Sequence, residues 1–227
     1  MWRAGLILAV AACAGVDDTG ADTESQTTAA EVVRTADPSA RGYTDADFPR
    51  VKELAPNIYA YEQLRSAGEE RFTTVSMFVV TDAGVLVADG QGSVEETQRM
   101  VEHIAEITDQ PITHVVVCSD HGDHTAGNSA FPIDAEFIAH PTSAAVLSAS
   151  ADSPNRAEGA PAVRVPTHLV SDREAIDLGG TRIEILFLGR AHTGGDLVVY
   201  LPDEKVLFMS EAYLHRVFPA MRSAYPT

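Results

Sequence analysis

Residues 119–124 read "SDHGDH", inside the longer stretch "ITHVVVCSDHGDHTAGNSAF" (112–131). The β-branched run before it has the texture of a buried strand. Two histidines and two aspartates then follow within five residues. A strand's C-terminal end is a place where side chains converge above a sheet. His121, Asp123 and His124 therefore read as a metal-ligating loop. Imidazole with carboxylate suits zinc, or iron or manganese in a more oxygen-rich site. The competing reading is a solvated acidic turn, which the loop alone does not exclude.

Two features further along weigh against a mere turn. His192 lies in "GRAHTGGDLVVYLP" (189–202), between two strand-like runs and beside glycines that permit close backbone approach. Glu211 follows the apolar run "KVLFMS" (205–210), again at a strand's C-terminal end.

Working outward, "NIYAYEQ" (57–63), "TTVSMFVVTD" (73–82) and "DAGVLVADG" (82–90) read as strands and a turn. "SVEETQRMVEHIAEIT" (93–108) is a helix, with Ser93 and Glu96 in capping-box spacing. Its apolar face is Val94, Met100, Val101, Ile104 and Ala105. "EFIAH" (136–140) is a short strand and "PTSAAVLSA" (141–149) a helix; 150–166 is a Pro- and Ala-rich loop. "AIDLGGTRIEILFLG" (175–189) is a hairpin through Gly179–Gly180, and "DLVVYLPDEKVLFMS" (196–210) another turning at "PDEK". Strands, helix, strand, helix and hairpins in that order indicate an α/β fold with helices on the outer face of a sheet.

The 227 residues suit one domain with a short extension. Asp and Glu number 33 against 16 Lys and Arg, a formal charge of -17, which disfavours nucleic acid as a partner. The N-terminal "MWRAGLILAVAACAG" has one Arg and a short apolar run, too short to span a bilayer stably, and reads as a secretory signal. Its "VAAC" resembles a bacterial lipobox, with Cys13 as the lipid-bearing residue; a plainly cleaved signal is the alternative. Residues 14–43 read as a disordered tether. The expected organisation is therefore signal or lipobox 1–13, tether 14–43 and folded domain 44–227. It implies an exported protein, periplasmic or anchored to the membrane only through Cys13. With Cys13 so used, Cys118 has no disulfide partner.

Taken in order, these segments resemble the metallo-β-lactamase superfamily of metallohydrolases. "LAPNIYAY" is similar to its opening strand, and "FVVTDAGVLVADGQGS" to the segment with a buried Asp, here Asp89. "SDHGDHTAGN" resembles its H-x-H-x-D-H signature, and "GRAHTGGDLVVYLPDEKVLF" the segment with its third histidine. The resemblance covers about residues 45–220 and implies an αββα sandwich. It implies one or two Zn2+ ions, with Fe or Mn as alternatives. His121 and His192 would hold the first metal, Asp123 and His124 the second, and Glu211 would stand where relatives place a bridging Asp or a Cys. Asp89 would orient the ligand loop.

Two departures accompany the match. Ser119 occupies the first histidine position of the signature, where it could hold a water. No histidine follows His215, so the family's last histidine lacks a counterpart, and the second half reads as either truncated or reduced. His215 itself is a stand-in ligand or a surface residue. His140 and His114 read as structural, His103 and His168 as surface residues, and Cys118 as core.

The implied activity is that of a metal-dependent hydrolase, in which a metal-activated water attacks an ester, lactone, thioester or lactam of a small-molecule substrate. Asp123 would orient the nucleophile or shuttle a proton. The alternative is a degenerate, non-catalytic binding or scaffold protein on the same fold. Oligomeric state is not legible.

Overall fold

The computed structural model describes residues 35–215. The segments read as signal and lipobox, and most of the tether, lie outside that range. The chain already forms a capped 3-10 turn at Pro38–Arg41, inside the span read as tether.

Two sheets face each other. The larger contains β1 (Arg50–Ala55), β2 (Ile58–Ala67), β3 (Glu70–Thr81), β4 (Gly84–Ala88), β5 (Ile112–Val117), β6 (Glu136–Ala139) and β7 (His168–Leu169), in that spatial order. The first four run antiparallel as a meander, and β4 through β7 run parallel. Parallel neighbours need crossovers. Two of these are α1 (Val94–Ile107), between β4 and β5, and α3 (Pro141–Ala151), between β6 and β7. The smaller sheet is antiparallel, in the order β11 (Val206–Phe208), β10 (Leu197–Leu201), β9 (Thr181–Phe187), β8 (Arg173–Leu178).

The two faces of the large sheet build two cores. Side chains alternate across a strand, so neighbours in sequence serve different layers. Met77, Val79, Leu86, Ala88 and Val116 point to the small sheet and pack on Ile183, Ile185, Leu197 and Val199. Phe78, Val85, Val87, Val115 and Val117 point the other way, to Met100 and Ile104 of α1 and Ala144 and Leu147 of α3. Burying one such side chain contributes about 1.5–3 kcal/mol, so each layer is strongly specified. Helix, sheet and sheet are the layers among the described residues, a sandwich with one core on each face of the large sheet.

Local detail departs from the sequence reading in four places. β1 is an added strand, unmarked by apolar alternation because half its residues are exposed at the sheet edge. On α1, Ala105 is exposed and Thr97 takes a core position. Ser93 does cap α1, accepting from Glu96 N at 3.2 Å, but Glu96 pairs with Arg65 at 2.6 Å. His168 sits on β7 and bridges Glu136 and Glu174 at 2.9 and 2.8 Å, so it is an ion-pairing residue joining both sheets.

Candidate metal centre

The site forms where the C-terminal ends of β4 and β5 meet the loops of the small sheet. Such ends are the usual ligand-binding edge of a parallel sheet, because the chain turns there and exposes loop side chains. A backbone bond from Leu197 N to Cys118 O, 3.1 Å, ties the two sheets together at this edge.

Asp89 is the hub. It follows β4 with φ 63°, a left-handed conformation that costs a non-glycine residue energy and turns its carboxylate inward. Its Oδ1 accepts from Cys118 N at 2.7 Å and Ser119 N at 3.3 Å. Its Oδ2 accepts from the Ser210 hydroxyl and lies 3.0 Å from His124 Nδ1. One buried carboxylate thus fixes the loop after β5, the imidazole of His124 and the turn that carries Glu211.

His121 precedes the single helical turn α2 (Gly122–Thr125), which carries Asp123 and His124. His192 stands in the loop between β9 and β10. There the Asp196 carboxylate accepts from Thr193 N, Thr193 Oγ1 and Gly194 N at 2.9, 2.8 and 3.1 Å, bracing the loop. Glu211 lies on a 3-10 turn, Ser210–Ala212, just after β11.

These residues converge. His121 Nδ1 is 2.8 Å from Glu211 Oε2, and His192 Nε2 is 3.4 Å from Glu211 Oε1. The His121 and His192 rings meet edge to face at 4.7 Å. His124 Nε2 is 3.7 Å from Asp123 Oδ2 and 3.9 Å from Glu211 Oε2. Two donor groups result, His121–His192–Glu211 and Asp123–His124–Glu211, each with ligand atoms within 4.8 Å of one another. Glu211 belongs to both. Two imidazoles with a carboxylate, and a carboxylate pair with an imidazole, are donor sets that suit a divalent cation. The set therefore fits a metal.

The electrostatics agree. Burial opposes charge on His124, but the Asp89 carboxylate, helped by Asp123 and Glu211, outweighs it and raises the pKa to about 9. Burial would likewise raise Glu211, yet the His121 hydrogen bond, the His124 charge and the Ser119 hydroxyl hold it at about 2.

Among the residues weighed from sequence, His121, Asp123, His124, His192 and Glu211 come together. Ser119 is at the site as a bonding partner of Glu211, to which it donates at 2.6 Å. His215 lines the adjoining cavity and belongs to neither donor group. His140 caps α3 by accepting from Thr142 N at 3.2 Å and stacks on Phe187. His103 is partly buried, with its ring edge-on to Tyr61, rather than a surface residue. Cys118 is fully buried in the core, and burial pushes its thiol pKa well up.

Sequence reasoning missed Thr74 and Asp120. Thr74 Oγ1 donates to Asp123 Oδ2 at 3.3 Å, and Ser143 donates to Asp120 Oδ2 at 3.0 Å. Neither has a local signal, since each partner lies tens of residues away. Asp123, His124 and Glu211 line a cavity of about 490 Å³, together with Phe72, Leu207, Phe208, Tyr213 and Arg41.

The sequence model of the metallo-beta-lactamase superfamily matches residues 70–212, over half of the chain, and the chain belongs to that family. It is 20% identical over 159 residues to a metallo-beta-lactamase type 2 of Elizabethkingia meningoseptica, covering 70% of this chain and 59% of that protein. It is 25% identical over 134 residues to the 2,4-dinitroanisole O-demethylase subunit alpha of Nocardioides sp. (strain JS1661), covering 57% of this chain and 38% of that one. The chain thus spans less than two thirds of the length of these curated relatives. A metallo-beta-lactamase from Pontibacter korlensis shares the fold with TM-score 0.59 and 21% identity, over 70% of this chain and 69% of that one. Membership supports a metal-dependent hydrolase family and implies a divalent metal.

Proposed function

We propose that this protein is a zinc-dependent hydrolase acting on a small molecule with an ester, lactone, thioester or lactam carbonyl. The observation that carries the reading is the convergence of His121, Asp123, His124, His192 and Glu211 into two donor groups that share Glu211, with Asp123, His124 and Glu211 lining one cavity. His121, His192 and Glu211 would hold one cation, and Asp123, His124 and Glu211 a second. When bound, such a cation supplies Lewis acidity, which acidifies water and polarises a carbonyl.

The chain's own residues do the rest. Asp123 faces the cavity with its side chain 37% exposed, and its Oδ2 takes the Thr74 hydroxyl. It is placed to orient an incoming water and accept its proton. The cavity suits a drug-sized molecule, and its Phe72, Leu207, Phe208 and Tyr213 side chains offer apolar surface to a substituent. Export, through the N-terminal apolar run, belongs to the same proposal and would bring the enzyme to extracytoplasmic substrates.

The test is turnover of ester, lactone, thioester and lactam reporters by Zn2+-loaded protein. Chelation should abolish it, and Zn2+ should restore it. A folded, Zn2+-loaded protein that turns over none of these would overturn the hydrolase reading.

Ser119 favours a second reading, a non-catalytic binding protein on this fold, since it removes an imidazole from the first donor group. Replacement of Ser119 by His separates the two: a sharp gain in both metal occupancy and turnover would support the second.

A further inference from the structure

We propose that Ser119 is the positioning residue of the centre. It ligates nothing itself, and it sets the reach and direction of the Glu211 carboxylate that both donor groups share. The inference rests on the metal-binding reading above.

Ser119 is completely buried at the head of the ligand loop. Its Oγ accepts from His121 N at 3.3 Å. A hydroxyl has one proton. With the oxygen engaged by that backbone donor, the proton is directed at Glu211 Oε2, where it makes a bond of 2.6 Å. The length is that of a charge-assisted bond, roughly twice as strong as a neutral one. A neutral hydroxyl is also a poor ligand beside imidazole and carboxylate.

Glu211 needs such a partner. Its side chain has three torsions and projects from a single 3-10 turn. Ordering a glutamate costs much of its rotamer freedom. Ser119 and His121 together pin Oε2, which leaves Oε1 towards His192 at 3.4 Å. The carboxylate is thereby held between the two donor groups before any ligand arrives. The short residue at 119 and the long one at 211 form a matched pair, and a carboxylate one methylene shorter is expected to fall short of the hydroxyl from the same backbone.

The experiment is calorimetric titration of the metal-free full chain with Zn2+, comparing the parent, Ser119→Ala, Glu211→Asp and the double variant. Ser119→Ala should weaken binding by at least about tenfold, within the range for partners that orient metal ligands. In the Glu211→Asp background the same change should have no effect, because the shortened carboxylate is already out of reach of the hydroxyl. Ser119→Gly reads the same loss should the alanine variant not fold. Parent-like affinity in Ser119→Ala overturns the inference and leaves the metal centre standing. An equal loss in both backgrounds also overturns it, since Ser119 would then act without Glu211. A parent chain that binds no Zn2+ overturns both this inference and the metal-binding reading.

Discussion

Asp89 Oδ2 lies 3.0 Å from His124 Nδ1, and both side chains are buried. The pair joins β4 to the ligand loop, and it governs the charge state of the site.

Removing the Asp89 charge should therefore destabilise the metal-free protein in a pH-dependent way. His124 has its folded pKa raised from 6.5 to about 9. Its contribution is fully present below about pH 6.5 and lost as pH rises through about 9. Asp89→Asn should cost about 3 kcal/mol at pH 6, as for a broken buried pair. The pH-dependent part of that loss should vanish by about pH 10. Urea melts in the presence of chelator measure it, and a loss independent of pH would refute the assignment.

Metal binding should release a proton. At pH 7 the metal-free His124 is protonated, and a metal-binding imidazole must be neutral. Glu211, held at about 2, is already ionised and releases none. Zn2+ titrations in buffers of different ionisation enthalpy should report about one proton at pH 7 and far fewer at pH 10. No buffer dependence at pH 7 would sink the prediction.

His168 links Glu136 of β6 to Glu174 of β8. The Glu174 hydrogen bond raises its pKa above 6.5; burial opposes the shift, and Glu136 supports it. Stability from this bridge is complete below the unfolded value and fades as pH climbs through the raised one. His168→Ala should lower the melting temperature most at pH 6 and progressively less as pH rises; an equal drop at every pH would refute the bridge.

Gly195 packs its backbone on α3. A Cβ there would sit 2.3 Å from Ser143 Oγ and 2.8 Å from Ser143 N. Gly195→Ala should cost about 1–3 kcal/mol, as overpacking does, and displace the loop that carries His192. Zn2+ affinity should fall with it; an unchanged melting temperature would show that the loop yields freely.

Much of the fold was legible because its signals are local. The hairpin at Gly179–Gly180 rests on two glycines with φ 60° and 85°, conformations that favour glycine. The capping Ser93 and the apolar strands β4 and β5 are equally local, and both faces of those strands proved buried. β1 was not legible, since an edge strand has little apolar pattern. Nor was the diversion of Glu96 to Arg65, 31 residues away.

At the site the same division holds. Sequence alone determined the order of the elements and placed His121, Asp123 and His124 in one loop, because covalent spacing keeps those side chains together. The encounter of Ser119 with Glu211, 92 residues apart, was decided only by tertiary structure. So was the role of Asp89 in binding the loop, His124 and Ser210 at once. A hydrogen bond between distant residues depends on how two sheets pack and how far each side chain reaches, and no local period or spacing encodes either.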